Sequence, residues 1–332
     1  MHSQISGMTV RSTRLAAAFA LALASAAAMA QSGSYPNRPI RIIVPYSAGS
    51  GSDIVARTIG QNVSEKSHQP VIIHNREGGG SLVGTMEAAK STPDGYTFLI
   101  VANPFVIVPS QSSKPPYDPV KDFVPIAKVA IIPLVLAASA NAPFTNLKEL
   151  VAYAKANPGK LSYASSGPGT ISQQEMEVFK QAAGLNIVEV GYKSTAQALT
   201  DVLGGHVPLF PVVVPSVVPH LKGGRMRILG VFDTRRTALV PDAPPMNEEL
   251  RVPGYVPIPV WYGFVAPAGT PREVVATLHG YIQGAMQSSE VKDRLSGLGA
   301  QPISTTNEQF TADLKAELEK AAQLARTLGT AK

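Results

Sequence analysis

The segment PYSAGSGSD, residues 45–53, decides the fold of this chain because it joins a predicted strand to a predicted helix. An apolar run of strand length leads into the segment, and apolar residues at helical spacing follow it. Gly49 and Gly51 allow the backbone to approach a ligand closely, and Ser52 or Asp53 can cap the helix. A strand, a glycine-rich turn and a helix in this order form the first unit of an α/β fold.

Strand-length apolar runs and helical periodicity alternate along the rest of the chain, which predicts an α/β fold with largely parallel sheets. Strands are predicted at 40–46, 71–74, 97–102, 161–164, 187–190, 209–214, 227–232 and 261–266. Helices are predicted at 53–66, 81–90, 147–156, 173–183, 196–203, 271–288 and 308–328, with Thr145 and Thr306 as caps. Residues 104–122 and 240–259 are predicted as proline-rich connections. The apolar run 123–139 is predicted to form two strands in series that cross from one domain to another.

The composition indicates a folded chain without thiol chemistry. The 332 residues are 45% hydrophobic, and their number suits two domains or one large one. There is no cysteine, which excludes disulfides, thiol nucleophiles and thiolate metal sites. The formal net charge is +6, but the basic residues are dispersed, so nucleic-acid binding is not predicted. The histidines are scattered without metal-ligand spacing, and no metal site is predicted.

The first 30 residues have the order of a secretory signal peptide. Arg11 and Arg14 precede the apolar run 15–28, and Ala28-Met29-Ala30 is a small-x-small cleavage site. The run is shorter than the roughly 20 residues that a membrane-spanning helix needs. We therefore expect cleavage after Ala30 and an exported product.

A second glycine-rich turn, SSGPGT at 165–170, again joins a predicted strand to a predicted helix. It offers the hydroxyls of Ser165, Ser166 and Thr170 and the flexible positions Gly167 and Gly169. Ligands of open α/β sheets bind beyond the carboxyl ends of the strands, and free amides at a helix N-terminus attract anions. Two such turns that face each other across a cleft predict an anion-binding site.

Three further positions are candidates at the same cleft. Gly79, in the glycine-rich turn before the second predicted helix, and Asn103, after the third predicted strand, end at the same sheet edge as the first turn. Lys193 lies between a strand and a helix. It either offers positive charge to the cleft or is a solvated loop lysine, and both interpretations stay open.

Two other functions are weighed against anion binding. Gly49 and Gly51 match the first two glycines of a dinucleotide-binding fingerprint, but Ile54 stands where the third glycine belongs. Serines are numerous, yet no G-x-S-x-G nucleophile elbow accompanies them. No catalytic residue, cofactor or metal is therefore predicted.

Six stretches of the chain resemble one known family. They are YPNRPIRIIVPYSAGSGSDIVAR (35–57), NREGGGSLVGTMEAAKSTPDGYT (75–97), YDPVKDFVPIA (117–127), LSYASSGPGT (161–170), ALTDVLGGHV (198–207) and WYGFVAPAGTP (261–271). In this order they are similar to the Bug-type extracytoplasmic solute receptors, the substrate-binding components of tripartite tricarboxylate transporters. The resemblance covers nearly the whole chain after the leader.

The resemblance implies a two-domain Venus-flytrap periplasmic binding protein, type II-like, without catalytic activity. Domain 1 is expected at 31–130 and about 260–332, and domain 2 at about 131–259, with the ligand in the cleft between them. The expected partners are membrane permease subunits, which an orphan receptor would lack. The receptor is expected to be a monomer without a cofactor. A ligand sensor that signals to a membrane partner and an exported hydrolase are the alternatives.

The ligands that the family implies are small carboxylates: dicarboxylates, tricarboxylates, aromatic acids or acidic amino acids. Carried over residue by residue, the first part of the site consists of Tyr46, Ser47, Ala48, Gly49, Ser50, Gly51 and Asp53. The second part consists of Ser165, Ser166, Gly167, Gly169 and Thr170. The pattern of the residues themselves adds Gly79, Asn103 and Lys193.

The chain departs from the family pattern at three places. Ser50 separates two glycines that are usually consecutive, Gln173-Gln174 replaces a common His-Leu, and Val207-Pro208 replaces a frequent Val-Asp. These changes predict an altered ligand preference. An amino acid would need an acidic partner for its ammonium group, and Asp53 is a poor partner if it caps a helix, which favours a plain carboxylate.

Overall fold

The computed structural model describes residues 35–167, 169–234, 236–237, 240–250, 255, 257–297 and 299–327. The predicted signal peptide and its cleavage site at Ala30 lie outside the described residues. None of the helices in these ranges has the length and apolar character that a membrane crossing requires.

Strands and helices alternate along the chain. The strands are β1 (Ile40–Val44), β2 (Val71–Asn75), β3 (Thr97–Ala102), β4 (Phe123–Ile132), β5 (Leu134–Ser139), β6 (Ser162–Ser165), β7 (Val188–Gly191), β8 (Leu209–Val213), β9 (Met226–Val231), β10 (Val260–Pro267) and β11 (Gln301–Pro302). The helices are α1 (Gly51–Ser67), α2 (Leu82–Ala89), α3 (Pro104–Ser110), α4 (Leu147–Ala156), α5 (Ile171–Ala183), α6 (Thr195–Leu203), α7 (Val214–Leu221), α8 (Met246–Leu250), α9 (Arg272–Gln287), α10 (Ser289–Gly297) and α11 (Asn307–Thr327). The predicted helices and strands agree with these bounds to within two residues wherever the chain is described.

The strands form two mixed sheets rather than largely parallel ones. The first sheet has the order β11-β4-β10-β3-β1-β2, and the second has the order β7-β6-β8-β5-β9. β1 is parallel to β2 and β3, and β6 is parallel to β7 and β8. β10 and β5 are antiparallel to both of their neighbours. Two parallel neighbours are joined by a crossover connection that packs on their own sheet. The chain between β4 and β10 instead builds the second sheet, and β10 pairs with β4 in the antiparallel direction.

The run 123–139 forms two strands in series, as predicted. Pro133 separates β4, which belongs to the first sheet, from β5, which belongs to the second. The chain comes back to the first sheet through a return segment, of which Tyr255 and residues 257–259 are described, and enters β10. The domain boundaries near 130 and 260 stay a prediction.

Several helices lie where the sequence analysis predicts none. α3 occupies the start of the predicted connection 104–122, and α7 follows β8 directly. Pro104 and Pro215 lie in the first turns of these helices, where the missing N–H of proline costs no helical hydrogen bond. The cap of α4 is Asn146 rather than Thr145, because Asn146 Oδ1 accepts from Glu149 N at 2.9 Å.

Each sheet packs into its own apolar core. Leu99, Phe105 and Trp261 are buried in the core of the first sheet. Val135 and Phe210 are buried in the core of the second sheet. The polar turns at the strand ends therefore lie outside both cores and can serve a ligand.

Candidate functional site

The first predicted turn connects β1 to α1 and is shaped by its own hydrogen bonds. Gly49 has a φ of +79°, a conformation that favours glycine. The N-cap of α1 is Ser50 rather than the predicted Ser52 or Asp53, because the Ser50 Oγ accepts from Asp53 N at 3.3 Å. Gly51 and Ser52 then begin the helix, and both line a cleft between the two sheets.

The carboxylate of Asp53 stabilises this turn through hydrogen bonds. Its Oδ2 accepts from Gly49 N and from Arg57 Nε, both at 2.9 Å, and its Oδ1 accepts from Asn75 Nδ2 at 2.9 Å. Asn75 Nδ2 also donates to Tyr46 O at 3.1 Å. Burial alone would raise the pKa of Asp53, but these hydrogen bonds hold the pKa below its usual value. Both carboxylate oxygens are therefore occupied by hydrogen bonds to the turn, to α1 and to β2.

The second predicted turn is fixed by a glutamine and a glutamate. Gln173 Oε1 accepts from Gly169 N at 2.8 Å, and Gln173 Nε2 donates to Glu189 Oε2 at 2.8 Å. Glu189 Oε1 accepts from Ser165 Oγ at 2.5 Å. Gln173 is one of the positions at which the chain departs from the family pattern, and its amide bridges the turn to β7.

The cleft is lined mainly by hydroxyl groups and aliphatic side chains. The hydroxyl-bearing residues are Tyr46, Ser50, Ser52, Ser166, Thr170, Ser172, Thr195, Ser216 and Tyr262. No lining residue within the described ranges is charged, and none is a histidine. Burial raises the pKa of Tyr46 and of Tyr262 well above the ordinary tyrosine value, so both phenols stay protonated and can donate hydrogen bonds.

Four helices of eight or more residues begin at the cleft. Lining residues occupy the first turns of α1 (Gly51, Ser52), α5 (Ile171, Ser172), α6 (Thr195) and α7 (Ser216). The first N–H groups of a helix have no partner within the helix, and the helix dipole places partial positive charge there. These helix ends therefore direct free N–H groups and partial positive charge toward the cleft, although no cationic side chain among the described residues lines it.

The cleft is narrow and encloses about 70 Å³. A Cβ placed on Gly51 would overlap Tyr262 Oη and lie 3.2 Å from Val213 Cγ2, so the two walls come close at this point. This volume is about half of the roughly 150 Å³ of a cavity that holds benzene, so the cleft as it stands is too small for a benzene-sized group. A larger ligand therefore requires the walls to separate, which hinge motion provides in two-domain receptors.

A recess joins the cleft through Tyr46, Ser166 and Thr195. Ser47, Gly78, Gly80, Glu77 and Lys193 contribute to its walls. The recess thus brings one positive and one negative side chain next to the cleft. Lys193 is exposed there, and both interpretations of it in the sequence analysis stay open.

The predicted site residues fall into three groups. Tyr46, Ser50, Gly51, Ser166 and Thr170 line the cleft. Ser47 and Lys193 line the recess. The third group lines neither space: Ala48, Gly49, Asp53, Gly79, Ser165, Gly167 and Gly169 in or beneath the turns, and Asn103. The Asn103 amide donates to Pro259 O at 3.0 Å and accepts from Trp261 N at 3.2 Å. The assignment of all these residues to ligand binding stays a prediction.

Five hydroxyl-bearing lining residues are not among the predicted site residues: Ser52, Ser172, Thr195, Ser216 and Tyr262. Thr195 begins α6 directly after its cap, Ser194, and that cap was the only available signal. Ser216 lies in the unpredicted helix α7, and its Oγ has no hydrogen-bond partner. Tyr262 lies on β10, where the sequence pattern indicates only that it is a buried strand residue.

Comparison with known proteins identifies the family. Residues 55–330 match the TctC family, described as the tripartite tricarboxylate transporter family receptor. The chain belongs to this family. The TctC-family receptor described here is 33% identical over 321 residues to Protein BugT of Bordetella pertussis, a match that covers 96% of this chain and 98% of BugT.

Solved structures of the family have the same fold as this TctC-family receptor. The periplasmic binding protein BugD is 31% identical with a TM-score of 0.85, and the match covers 90% of this chain and 100% of BugD. An R. palustris protein solved with adipate is 31% identical with a TM-score of 0.84, covering 89% of this chain and 99% of that protein. MatC from Rhodopseudomonas palustris, with bound malate, is 26% identical with a TM-score of 0.80, covering 87% of this chain and 99% of MatC.

These findings confirm the resemblance to Bug-type receptors and the two-domain α/β fold of a periplasmic binding protein. The TctC-family receptor is a solute-binding protein of a family that consists of receptors rather than enzymes. Membership in a family of periplasmic binding proteins implies export to the periplasm.

The Gln173 bridge predicts a measurable loss of stability. Gln173→Ala leaves Gly169 N and Glu189 Oε2 without a partner, and unsatisfied groups of this kind cost about 1–3 kcal/mol each. We expect chemical denaturation to show a free energy of unfolding lower by about this amount. Gln181→Ala, at an exposed position of the same helix, is the control and should change little. Equal stability of the two variants would contradict a bridging role.

Proposed function

We propose that this receptor captures a small carboxylate that carries no ammonium group, in the cleft between its two sheets, for uptake by a membrane permease. The observation that supports this proposal is the lining of the cleft. Hydroxyl groups and four helix N-termini converge there, and among the described residues no charged side chain does. Such a surface supplies many hydrogen-bond donors and partial positive charge, which are what a carboxylate needs.

The electrostatic argument accounts for anion binding without a cation. Each helix N-terminus stabilises a nearby anion by about 0.3–1 kcal/mol, and by up to about 2 kcal/mol in partly buried geometry. Protonated phenols and serine hydroxyls add hydrogen bonds to charged oxygens, which are stronger than bonds between neutral groups. Four helix ends and several hydroxyls together can offset the desolvation of one carboxylate.

The remaining walls favour ligands with a hydrocarbon body. Leu134, Phe210, Val213 and Val260 line the cleft beside the hydroxyl groups. Family members have been solved with adipate and with malate, both of which are dicarboxylates. A second acid group of such a ligand would find Lys193 in the adjoining recess. The ammonium group of an amino acid has no acidic partner within the cleft itself, and the acidic residue that lines the recess is the exposed Glu77.

The proposal includes the route and the partner. Cleavage after Ala30 would release the mature receptor into the periplasm, and closure of the cleft would present the loaded receptor to permease subunits as a monomer. Closure requires that the ligand bind the closed state more tightly than the open state. The narrow cleft supports tighter binding in the closed state, because a bound group would contact both walls at once.

A panel of acids tests the proposed ligand class. Thermal unfolding and titration calorimetry are measured with adipate, malate, benzoate and aspartate, with sulfate as the inorganic control. We expect at least one plain carboxylate to stabilise the receptor, by about 2.7 kcal/mol at 100 times its dissociation constant, and aspartate to bind more weakly than that acid. Stabilisation by none of the organic acids would overturn the carboxylate proposal, and aspartate as the tightest ligand would overturn the exclusion of amino acids.

A further inference from the structure

A second cavity of about 350 Å³ shares no lining residue with the cleft. Its walls come from α3, α5, α11 and the return segment, so both sheets' helices contribute to it. An apolar cavity of about 150 Å³ is large enough to hold benzene. This second cavity can therefore accommodate a molecule of aromatic or medium-chain size.

The inner wall of the cavity is apolar and uncharged. Val106, Ile107, Val178 and Leu324 line it together with the prolines of the return segment. Glu317 and Lys320 also line it: their charged groups lie 3.8 Å apart, the Lys320 side chain is 75% exposed and the Glu317 side chain 20% exposed, so this pair places charge at one side of the cavity. Burial of an uncompensated charge among aliphatic side chains is costly, so the interior favours a neutral molecule.

Gln174 gives the cavity a chemical preference. Its side chain lines the cavity, the residue is 3% exposed, and its Nε2 has no hydrogen-bond partner. The other buried amide in the wall, Asn103, is fully used by Pro259 O and Trp261 N. The terminal torsion of a glutamine is broad, so the Gln174 amide can turn Nε2 toward an acceptor in the cavity. An unpaired buried donor is costly, and a bound acceptor would remove that cost.

We propose that this cavity is a second small-molecule site, for a neutral aromatic or medium-chain molecule that carries one carbonyl oxygen. The carbonyl accepts from Gln174 Nε2, and the hydrocarbon part packs against the aliphatic wall. The two spaces have no lining residue in common, but they are neighbours, because Asn103 of the cavity lies between Ala102 and Pro104 of the cleft.

Binding of a fluorinated ketone tests the site directly. We expect ¹⁹F NMR to show binding of 4-fluoroacetophenone to the full chain, with methyl shifts at Ile107 and Ile258, which both line the cavity. The same binding should persist in Gly51→Val, which alters only the cleft. Absence of binding, or its loss in Gly51→Val, would overturn the proposal.

Two cavity variants separate packing from hydrogen bonding. Val178→Trp fills the cavity and should abolish ketone binding, whereas Val188→Trp, at a position of β7 that is 47% exposed, should leave it unchanged. Gln174→Leu keeps the volume and removes the donor, so the ketone should bind about 3- to 10-fold more weakly. Ethylbenzene, which has no acceptor, should bind Gln174→Leu and the parent chain alike. An unchanged preference for the ketone in Gln174→Leu would show that Gln174 does not recognise the carbonyl.

Discussion

Gly51→Val is expected to lower the affinity of the cleft for carboxylates by roughly 5- to 150-fold, which corresponds to the cost of about 1–3 kcal/mol for overpacking a tight contact. The first added carbon would already overlap Tyr262 Oη, and Val213 lies on its other side. Tyr262 is buried and lines the cleft, so we expect its phenol to shift into the space that the ligand needs. Titration calorimetry with the acid that binds best in the panel measures the loss.

A matched glycine replacement separates this effect from destabilisation of the fold. Gly280 lies on α9 at an exposed position, and a Cβ there meets no atom within 4 Å. Gly280→Val should therefore keep the affinity of the parent chain. The melting temperature of Gly51→Val shows whether the variant is folded, and a folded variant with undiminished affinity would contradict the assignment of this turn to the ligand site.

The largest expected effect on stability comes from Glu175, a buried carboxyl group outside the cleft. Glu175 lies on α5 and accepts hydrogen bonds from the hydroxyl of Tyr255 and, at 2.8 Å, from Ile258 N. It thereby ties the second sheet's helix to the return segment. Burial raises the pKa of Glu175 from 4.5 to about 8, although the two hydrogen bonds act in the opposite direction.

A raised pKa in the folded state fixes the sign of the pH dependence. The folded chain keeps this proton up to a pH of about 8, whereas the unfolded chain loses it near pH 4.5. The contribution to stability is therefore fully present below pH 4.5 and is lost as the pH rises to about 8. Each unit of pKa difference corresponds to about 1.4 kcal/mol, so the total change amounts to a few kcal/mol.

Glu175→Gln should remove this pH dependence because the amide does not titrate. The free energy of unfolding is measured at several pH values between 4.5 and 8. The slope of this free energy against pH is then compared between the variant and the parent chain. Glu319→Gln, at an exposed position of α11, is the control and should keep the slope of the parent chain. If Glu175→Gln and the parent chain lose stability in parallel, Glu175 is not protonated in the folded state.

Local sequence patterns predicted the repeated strand–turn–helix unit because each part of it depends on near neighbours. The cap of α1 lies within three residues of the predicted ones, at Ser50 instead of Ser52 or Asp53, and the glycines at 49, 167 and 169 adopt the positive φ values that such turns need. The run 123–139 likewise contained its own interruption at Pro133. The two turns and the bounds of the elements beside them were therefore predictable without the tertiary structure, whereas α3 and α7 were not predicted.

The role of Asp53 was only half predictable. Its position suggested a cap or a ligand contact, but its carboxylate instead binds Gly49, Arg57 and Asn75. Two of these partners are within four residues, and the third lies on β2. The burial that makes these bonds strong depends on how β2 pairs with β1, which local spacing does not encode.

By itself, the sequence determined the α/β class, the two glycine-rich turns and, through its motifs, the family of solute receptors to which the chain belongs. Only the tertiary structure decided which atoms share the cleft. Tyr262 lies against Gly51, and Ser216 enters the cleft from α7, although these residues are far apart along the chain. The antiparallel position of β10 between β3 and β4 and the buried tie between Glu175 and the return segment were decided in the same way. The physical reason is that turns and caps are satisfied by hydrogen bonds to near neighbours, whereas a cleft consists of surfaces that approach each other only when both cores are packed.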